Sequence, residues 1–193
     1  MRIFVALDID DTIRERISRF MDGLRGFAPD ARWVRPESLH ITLKFVGEKP
    51  PEIVEKIKQA LLTVEAVAMG IGFRGYGFFP GPKAPRVFWI GIESGPQLAS
   101  LARAVDKTLG EPGMPKEEHA FSPHLTLARA GGRSAQTQKG DARNKTFKVL
   151  QHKLAALTIP DFGTMRARGF FLYQSQPQRG AARYTKIAAF PLQ

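Results

Sequence analysis

Apolar residues recur along the chain at two spacings, which predict a mixture of strands and helices. Mostly apolar or alternating runs predict strands at residues 2–9, 38–46, 85–92, 121–128, 166–175 and 182–190. The strands and helices do not alternate strictly, which favours an α+β fold with largely antiparallel sheets over a doubly wound parallel sheet. Apolar residues three or four positions apart predict four helices, carried by Ile13, Ile17, Phe20, Met21 and Leu24, by Ile53, Ile57, Ala60 and Leu61, by Leu98, Leu101, Ala102, Val105 and Leu109, and, over residues 144–157, by Phe147, Leu150 and Leu154.

Helix-capping and loop-forming residues separate these elements. Residues 94–97 resemble a capping box, and Gly110 is expected to end the helix that follows. Stretches rich in Gly, Pro or polar residues predict surface loops beside a site at 80–85, 110–118 and 130–141. No stretch has the composition of an interdomain linker, so residues 1–193 are expected to form a single domain.

The charge of the chain indicates the kind of ligand. The 193 residues are 43% hydrophobic, which is enough for a proper core, and the formal net charge is +11. Such a charge predicts attraction to polyanions such as RNA, DNA, nucleotides or anionic lipid. The basic residues are densest over residues 129–153. A generally basic, solvated surface explains the same charge, so charge alone supports an anionic ligand without naming one.

Several classes of function are excluded by what the sequence lacks. It contains no cysteine, which excludes disulfides, thiolate zinc sites, iron–sulfur clusters and cysteine nucleophiles. No apolar run is long enough to span a membrane, and the first residues lack the apolar core and the cleavage site of a signal peptide. We therefore expect a cytoplasmic protein without a membrane partner.

One tetrapeptide occurs twice, each time in a predicted strand: His40-Ile41-Thr42-Leu43 and His124-Leu125-Thr126-Leu127. Because strand side chains alternate between two faces, His40 and Thr42 share one face, and His124 and Thr126 do the same in the second copy. The apolar residues between them face the core. Two such strands related by a pseudo-twofold axis would present two imidazoles and two hydroxyls to one cleft.

That arrangement suits phosphoryl chemistry without a metal. The unperturbed pKa of imidazole lies nearest neutrality, so one neutral His can take a proton from an attacking oxygen while a protonated His gives one to the leaving oxygen. The Thr hydroxyls can donate to the non-bridging oxygens, where negative charge is concentrated. The alternative is two structural histidines, with Thr present for its strand propensity.

The blocks around the repeat resemble the 2H phosphoesterase superfamily, which is named for two His-x-Thr motifs. The chain is most similar to the RNA 2′,3′-cyclic phosphodiesterases, also called 2′-5′ RNA ligases. Residues 33–47 and 121–129 carry most of the likeness. Weaker matches are residues 2–7, 172–175 and 190–192, together with Gly180 and Tyr184.

The resemblance implies a bilobal fold with two mainly antiparallel sheets around a central cleft and helices outside. It implies metal-independent hydrolysis of RNA or nucleoside 2′,3′-cyclic phosphates to 2′-phosphomonoesters, with no cofactor, and 2′-5′ ligation when a ribose hydroxyl replaces water. By this likeness His40 is the proton donor to the 3′ oxygen and His124 is the base for water. Thr42 and Thr126 hold the phosphate.

Strand alternation also bears on three further residues of these blocks. Arg129 follows the second motif where similar proteins carry a basic residue near the phosphate, but strict alternation puts it on the core face unless the strand ends or bulges. By the same alternation Lys44 shares the face of His40, where it would contact RNA phosphate or be solvated. Phe45 is expected to pack in the core.

A rival interpretation comes from Asp8-Ile9-Asp10-Asp11-Thr12, which resembles the first motif of haloacid-dehalogenase-type phosphatases. There Asp8 would be the nucleophile and Asp10 a general acid, with Mg²⁺ between carboxylates. The rival needs a downstream acidic pair, for which Asp141 supplies one carboxylate. Asp10 and Asp11 are explained equally well as helix-capping residues.

A third interpretation is a non-enzymatic RNA-binding module, in which Trp33, Trp89 and exposed Phe or Tyr side chains stack on bases. No RNP-like motif accompanies them. A metal site at His40 and His124 lacks a third ligand at useful spacing. His119 and His152, in a predicted loop and helix, are expected to be solvated.

Overall fold

Two antiparallel sheets and four α-helices form the part of the chain that the computed structural model describes, residues 1–110, 113–131, 145–178 and 182–193. The helices are α1 (Asp11–Leu24), α2 (Pro51–Leu61), α3 (Pro96–Gly110) and α4 (Lys148–Ala155). The strands are β1 (Arg2–Asp8), β2 (Arg32–Trp33), β3 (His40–Glu48), β4 (Met69–Phe79), β5 (Val87–Ser94), β6 (His124–Arg129), β7 (Asp161–Ala167), β8 (Gly169–Gln176) and β9 (Arg183–Pro191).

The order of the strands brings the two repeated motifs together. One sheet has the order β3-β1-β8-β9 and the other the order β2-β6-β5-β4-β7. Strands β3 and β6, which each begin with a motif histidine, belong to different sheets yet lie against each other. Helix α1 packs on β7, and α3 packs on β3 and α2. The expected α+β fold with two antiparallel sheets around a cleft is thus confirmed.

Strand β1 is buried on both faces, which explains its continuous apolar sequence. Ile3, Val5 and Leu7 join the large core with the apolar faces of the helices. Phe4 and Ala6 point the other way and form a second, smaller cluster with Tyr173. The first face of β1 therefore holds the fold together, and the second forms an aromatic floor on the side of the motif histidine.

Helix α1 has the two features that allow a helix to be predicted from sequence, a capping residue and a regular apolar face. The side chain of Asp10 accepts a hydrogen bond from the backbone N–H of Ile13 at 2.8 Å and caps the helix, as one of the two explanations of the acidic motif predicted. Ile13, Ile17 and Met21 are buried along one face. Among the described residues, no helix is long and apolar enough to cross a membrane.

Strand β4 was not predicted, because four glycines interrupt its apolar pattern: Gly70, Gly72, Gly75 and Gly77. At Gly77 a side chain is excluded by packing, since a Cβ there would lie 2.2 Å from the ring of Trp89. A further missed strand, β2, has two residues. The predicted strand 166–175 combines the last two residues of β7 with β8, and the first five residues of β7 were not predicted.

Several predicted boundaries are wrong. Ser94 is the last residue of β5, and α3 begins at Pro96, so the predicted capping box does not form. The predicted strand 121–128 begins at His124. The last helix begins at Lys148 instead of residue 144, which lies outside the described residues, as does most of the predicted loop 130–141. The single domain over 1–193 stays a prediction.

Candidate active site

Strand β3 contains a bulge within the first motif. In the ladder with β1, Val5 lies opposite Lys44 and Ala6 opposite Thr42, so Leu43 has no partner. Such an extra residue reverses the alternation of side chains beyond it. His40 and Thr42 face the cleft as expected, whereas Lys44 and Phe45, the two residues after the bulge, are displaced by one position.

The bulge overturns the expectations for Lys44 and Phe45. Lys44 turns inward and is 3% exposed. Its Nζ donates to the carboxylate of Asp106 at 2.5 Å and to the carbonyl of Pro115 at 2.8 Å, so it is not available to RNA. Phe45 turns outward, is 60% exposed and lines the cleft instead of packing in the core.

Strand β6 has a bulge at the matching position of the second motif. Phe88 of β5 lies opposite Ala128 and Trp89 opposite Thr126, so Leu127 has no partner. Leu127 and Ala128 are both buried, and Arg129 emerges on the side of His124 and lines the cleft. The bulge thus explains how Arg129 reaches the cleft despite its place in the strict alternation of the strand.

The two motifs meet in one cavity of about 510 Å³. Arg2, Phe4 and Tyr184 line it beside the motif residues, although the sequence singled out none of their side chains as part of the site. Each motif contributes residues at the same three positions: His40, Thr42 and Phe45 from the first and His124, Thr126 and Arg129 from the second. We call these two sets the first and the second half-site.

Both histidines have the same tautomer. The Nδ1 atom of His40 lies 2.7 Å from the carbonyl oxygen of Ser38, and that of His124 lies 2.8 Å from the carbonyl oxygen of Ser122. Because a carbonyl only accepts hydrogen bonds, Nδ1 carries the proton in each neutral ring. Nε2 is then the nitrogen of each ring that can accept or give a proton.

The electrostatic environment favours neutral rings. Burial lowers the pKa of His40 to about 4, against the opposing effect of the Ser38 carbonyl, and the charge of Arg129 lowers it further. The Asp8 carboxylate acts in the opposite direction on His40. Burial, and then Arg129, also lower the pKa of His124. A negative charge in the cleft would raise the pKa of both rings.

Aromatic rings surround each histidine. The ring centroid of His40 lies 4.8 Å from that of Phe4 and 5.2 Å from that of Tyr184, which meets it edge-on. The ring of His124 meets Phe79 edge-on at 4.8 Å. These contacts desolvate and orient both imidazoles, so each ring reaches the cleft in one orientation.

The acidic motif of the rival interpretation is occupied by structural interactions. Asp8 accepts from Arg14 at 2.6 Å and pairs with Lys186, and Asp10 caps α1. Asp141 lies outside the described residues. Within the described ranges, no group of three or more His, Asp or Glu side chains is placed to hold a metal ion. The paired carboxylate of Asp8 does not favour an aspartyl-phosphatase site.

The two tryptophans of the binding-module interpretation are half-buried and pack against the protein. Trp33 donates its indole N–H to the carbonyl of Ala28 at 3.0 Å, and its ring meets Phe88 edge-on. Trp89 packs against Phe79 and over Gly77, and its indole nitrogen is buried. His119 and His152 are exposed, as expected.

Comparison with known proteins shows the family of the chain. The family described as LigT like phosphoesterase matches the chain twice, at residues 7–89 and 90–184, and each match contains one motif. An RNA 2′,3′-cyclic phosphodiesterase of Archaeoglobus fulgidus is 35% identical over 175 residues, 91% of each chain. One of Methanothermobacter thermautotrophicus is 31% identical over 196 residues, 100% of this chain and 99% of that protein.

A solved structure shows the same architecture. E. coli LigT complexed with 3′-AMP superposes with a TM-score of 0.75 at 26% identity, covering 99% of this chain and 97% of that one. Two matches of one family to almost the whole chain, each centred on a His-x-Thr motif that lines the same cleft, identify the protein as an enzyme of the LigT-like phosphoesterase family, within the 2H superfamily.

Proposed function

We propose that this enzyme hydrolyses RNA 2′,3′-cyclic phosphates to 2′-phosphomonoesters by acid–base catalysis between His40 and His124, without a metal. The observation that supports it most is the pair of imidazoles in one cavity, each with its Nδ1 proton held by a backbone carbonyl. The relatives from Archaeoglobus and Methanothermobacter are named for this activity.

In the proposed step, Nε2 of His124 takes a proton from water as its oxygen attacks phosphorus. The bond between phosphorus and the 3′ oxygen breaks, and Nε2 of His40 gives its proton to that oxygen. The products are a 2′-phosphomonoester and a free 3′ hydroxyl. Exchange with solvent then returns the proton to His40 and removes it from His124.

The charge of the substrate is part of this mechanism. A bound phosphodiester carries a negative charge, which offsets the positive charge of Arg129 and raises the pKa of His40, so that the ring can be protonated in the complex. The Asp8 carboxylate favours the same charged form. The first effect acts on both histidines, whereas the Asp8 charge acts on His40 and so favours His40 as the acid.

Arg129, Thr42 and Thr126 are proposed to bind the phosphate. The guanidinium and the two hydroxyls line the cleft beside the histidines and carry donors for non-bridging oxygens. Because these oxygens keep their negative charge throughout the reaction and gain more as the attacking oxygen bonds, donors aimed at them stabilise the transition state.

Phe45 is proposed to stack on the nucleobase. It is the large exposed aromatic side chain in the cleft, and its ring lies 6.1 Å from that of Phe4, centroid to centroid, at the edge of the aromatic floor. Base–aromatic stacking tolerates every base, because each presents a π face. Phe45 therefore suits RNA ends of varied sequence.

The same geometry supports a second reaction on the same substrate. If a ribose 5′ hydroxyl replaces water as the attacking group, the departure of the 3′ oxygen leaves a 2′-5′ phosphodiester. We propose this ligation as a further activity of the site. It is tested by incubating an RNA that has a 2′,3′-cyclic end with a 5′-hydroxyl oligonucleotide and assaying for a 2′-5′ linkage.

The hydrolysis is tested with a 2′,3′-cyclic mononucleotide in excess EDTA, with the product isomer read by phosphorus NMR. We expect undiminished turnover and a 2′-phosphate as the product. Turnover abolished by EDTA would favour the aspartyl-phosphatase rival. RNA binding with a salt-dependent affinity but without turnover would favour the binding module. The cytoplasmic location stays a prediction.

A further inference from the structure

Arg14 connects three segments next to His40. From helix α1, its guanidinium donates to the carboxylate of Asp8 at 2.6 Å and to the carbonyl of Ile9 at 2.9 Å, both at the end of β1. Its other terminal nitrogen donates to the carbonyl of Pro36 at 2.6 Å. The Arg14 side chain is 18% exposed, and it contacts no cleft-lining residue in these bonds.

Pro36 begins the segment that holds His40. Residues Pro36–Ser38 form a single 3-10 turn, and the residue after it is Leu39, whose N–H also donates to the carbonyl of Pro36. Ser38, the last residue of the turn, provides the carbonyl that accepts from Nδ1 of His40 at 2.7 Å. Arg14 thus fixes the start of a three-residue turn whose end determines the tautomer of the histidine.

Asp8 aligns the guanidinium for this contact. It lies directly opposite His40 in the β1–β3 ladder and is itself held by Lys186 and by the N–H of Ile9. Because Lys186 and the N–H of Ile9 hold the Asp8 carboxylate in place, the guanidinium of Arg14 has one favourable orientation against it. In that orientation the other terminal nitrogen of Arg14 points at the carbonyl of Pro36.

The backbone before His124 is built differently. His124 bonds to the carbonyl of Ser122, but residues 121–123 form neither a helix nor a strand. The 3-10 turn that precedes His40 is therefore not repeated before His124, although the ring contact is the same.

We propose that Arg14, aligned by Asp8, is a positioning residue for His40: it holds the turn Pro36–Ser38 so that the Ser38 carbonyl keeps the proton on Nδ1 and Nε2 faces the cleft. The effect on turnover rests on the proposed function. The effect on the tautomer of His40 does not, because it is a property of the free protein.

The test compares Arg14→Gln with Arg16→Gln. Arg16 lies on the same helix and donates to the carbonyl of Phe162 at 3.0 Å, away from the turn, so its variant is a matched control. For Arg14→Gln we expect kcat to fall about tenfold with KM little changed, as for other losses of catalytic alignment. Nitrogen-15 NMR of the histidines is expected to show mixed tautomers for His40 and an unchanged tautomer for His124.

Arg16→Gln is expected to change neither measurement. The proposal is overturned if Arg14→Gln keeps the kcat of Arg16→Gln, or if its His40 keeps the proton on Nδ1. If Arg14→Gln does not fold, Arg14→Lys, which keeps one donor for the Pro36 carbonyl, is judged by the same two measurements, with a smaller loss expected. If the wild type does not turn over a cyclic phosphate but Arg14→Gln still changes the tautomer of His40, the proposed function is contradicted and the positioning role of Arg14 is supported.

Discussion

The first and second half-sites have the same backbone but different chemistry. Both begin a strand with histidine, bond Nδ1 to the carbonyl two residues earlier and contain a bulge at the leucine that ends the motif. The bulge brings the fifth residue after the histidine into the cleft in each case. That residue is Phe45 in the first half-site and Arg129 in the second.

This difference gives the two half-sites an apolar and a cationic character. Phe45 continues the aromatic floor of Phe4, whereas Arg129 places a positive charge that lowers the pKa of both histidines. A nucleotide has the same two parts, a flat base and a charged phosphate. Two strands with the same bulge and different residues at the second position after it thus yield a site with a direction.

The largest expected effect is the loss of either histidine. His40→Ala and His124→Ala are each expected to lower kcat for a 2′,3′-cyclic nucleotide by about 10²–10⁴-fold, the usual contribution of a positioned acid or base. A 3′-deoxynucleoside 2′-(p-nitrophenyl) phosphate separates their roles, because nitrophenolate leaves without a proton and no 3′ hydroxyl competes with water as the attacking group. On that ester His40→Ala should regain most of its activity and His124→Ala should not; the reverse pattern would exchange the acid and the base.

Removal of the cation from the second half-site has the next largest effect. Arg129→Met keeps the length of the side chain and removes its donors, and we expect kcat/KM to fall by about 10²–10³-fold, as after loss of a donor to a transition-state oxyanion. Steady-state kinetics at low and high salt check it. An exposed arginine outside the cleft, Arg103, provides the matched control, Arg103→Met. Equal kinetics for the two variants would contradict the phosphate role of Arg129.

Removal of the aromatic ring from the first half-site should act on binding alone. Phe45→Ala is expected to raise KM about tenfold with kcat nearly unchanged, since stacking contributes about 1–3 kcal/mol per base. Phe45→Trp should restore the KM. A KM that is the same in the alanine variant and the wild type would show that the base does not contact this ring.

The smallest expected effect is on stability. Because burial lowers the pKa of His40 from 6.5 to about 4, the unfolded chain binds more protons than the folded one between these values. The free energy of unfolding therefore falls as the pH drops from about 6.5 to about 4. Above this range His40 is neutral in both states and has no effect on the pH dependence. Urea titrations at about pH 7 and about pH 5 should show a larger loss for the wild type than for His40→Asn. Equal losses would contradict the buried, neutral state of His40.

The limits of prediction from sequence lie at the bulges. Sequence alone could assign four residues to one cleft, namely His40, Thr42, His124 and Thr126. Strand alternation and the repeated tetrapeptide are local patterns that can be recognised within a few residues. Alternation assigned Lys44 to the wrong face, because the unpaired Leu43 is visible in the ladder with β1 and not in the local pattern.

Contacts between distant segments could not be predicted from the sequence, for the same reason. Arg14 reads as an ordinary polar residue of an amphipathic helix, and its connection to Pro36 depends on how α1 packs beside the turn. Strand β4 was hidden by its glycines, of which Gly77 is explained by the ring of Trp89 from the neighbouring strand. Such features require the partner strand or helix to be known.

The central claim is that two imidazoles bind one phosphate from opposite sides of the cleft. Its most direct test is a titration of nitrogen-15-histidine-labelled protein with a nucleoside 2′-monophosphate, the expected product. The Nε2 signals of His40 and His124 should shift together, saturate at the same concentration and report a raised pKa for His40 in the complex. A response of one histidine alone, or two different dissociation constants, would contradict the account.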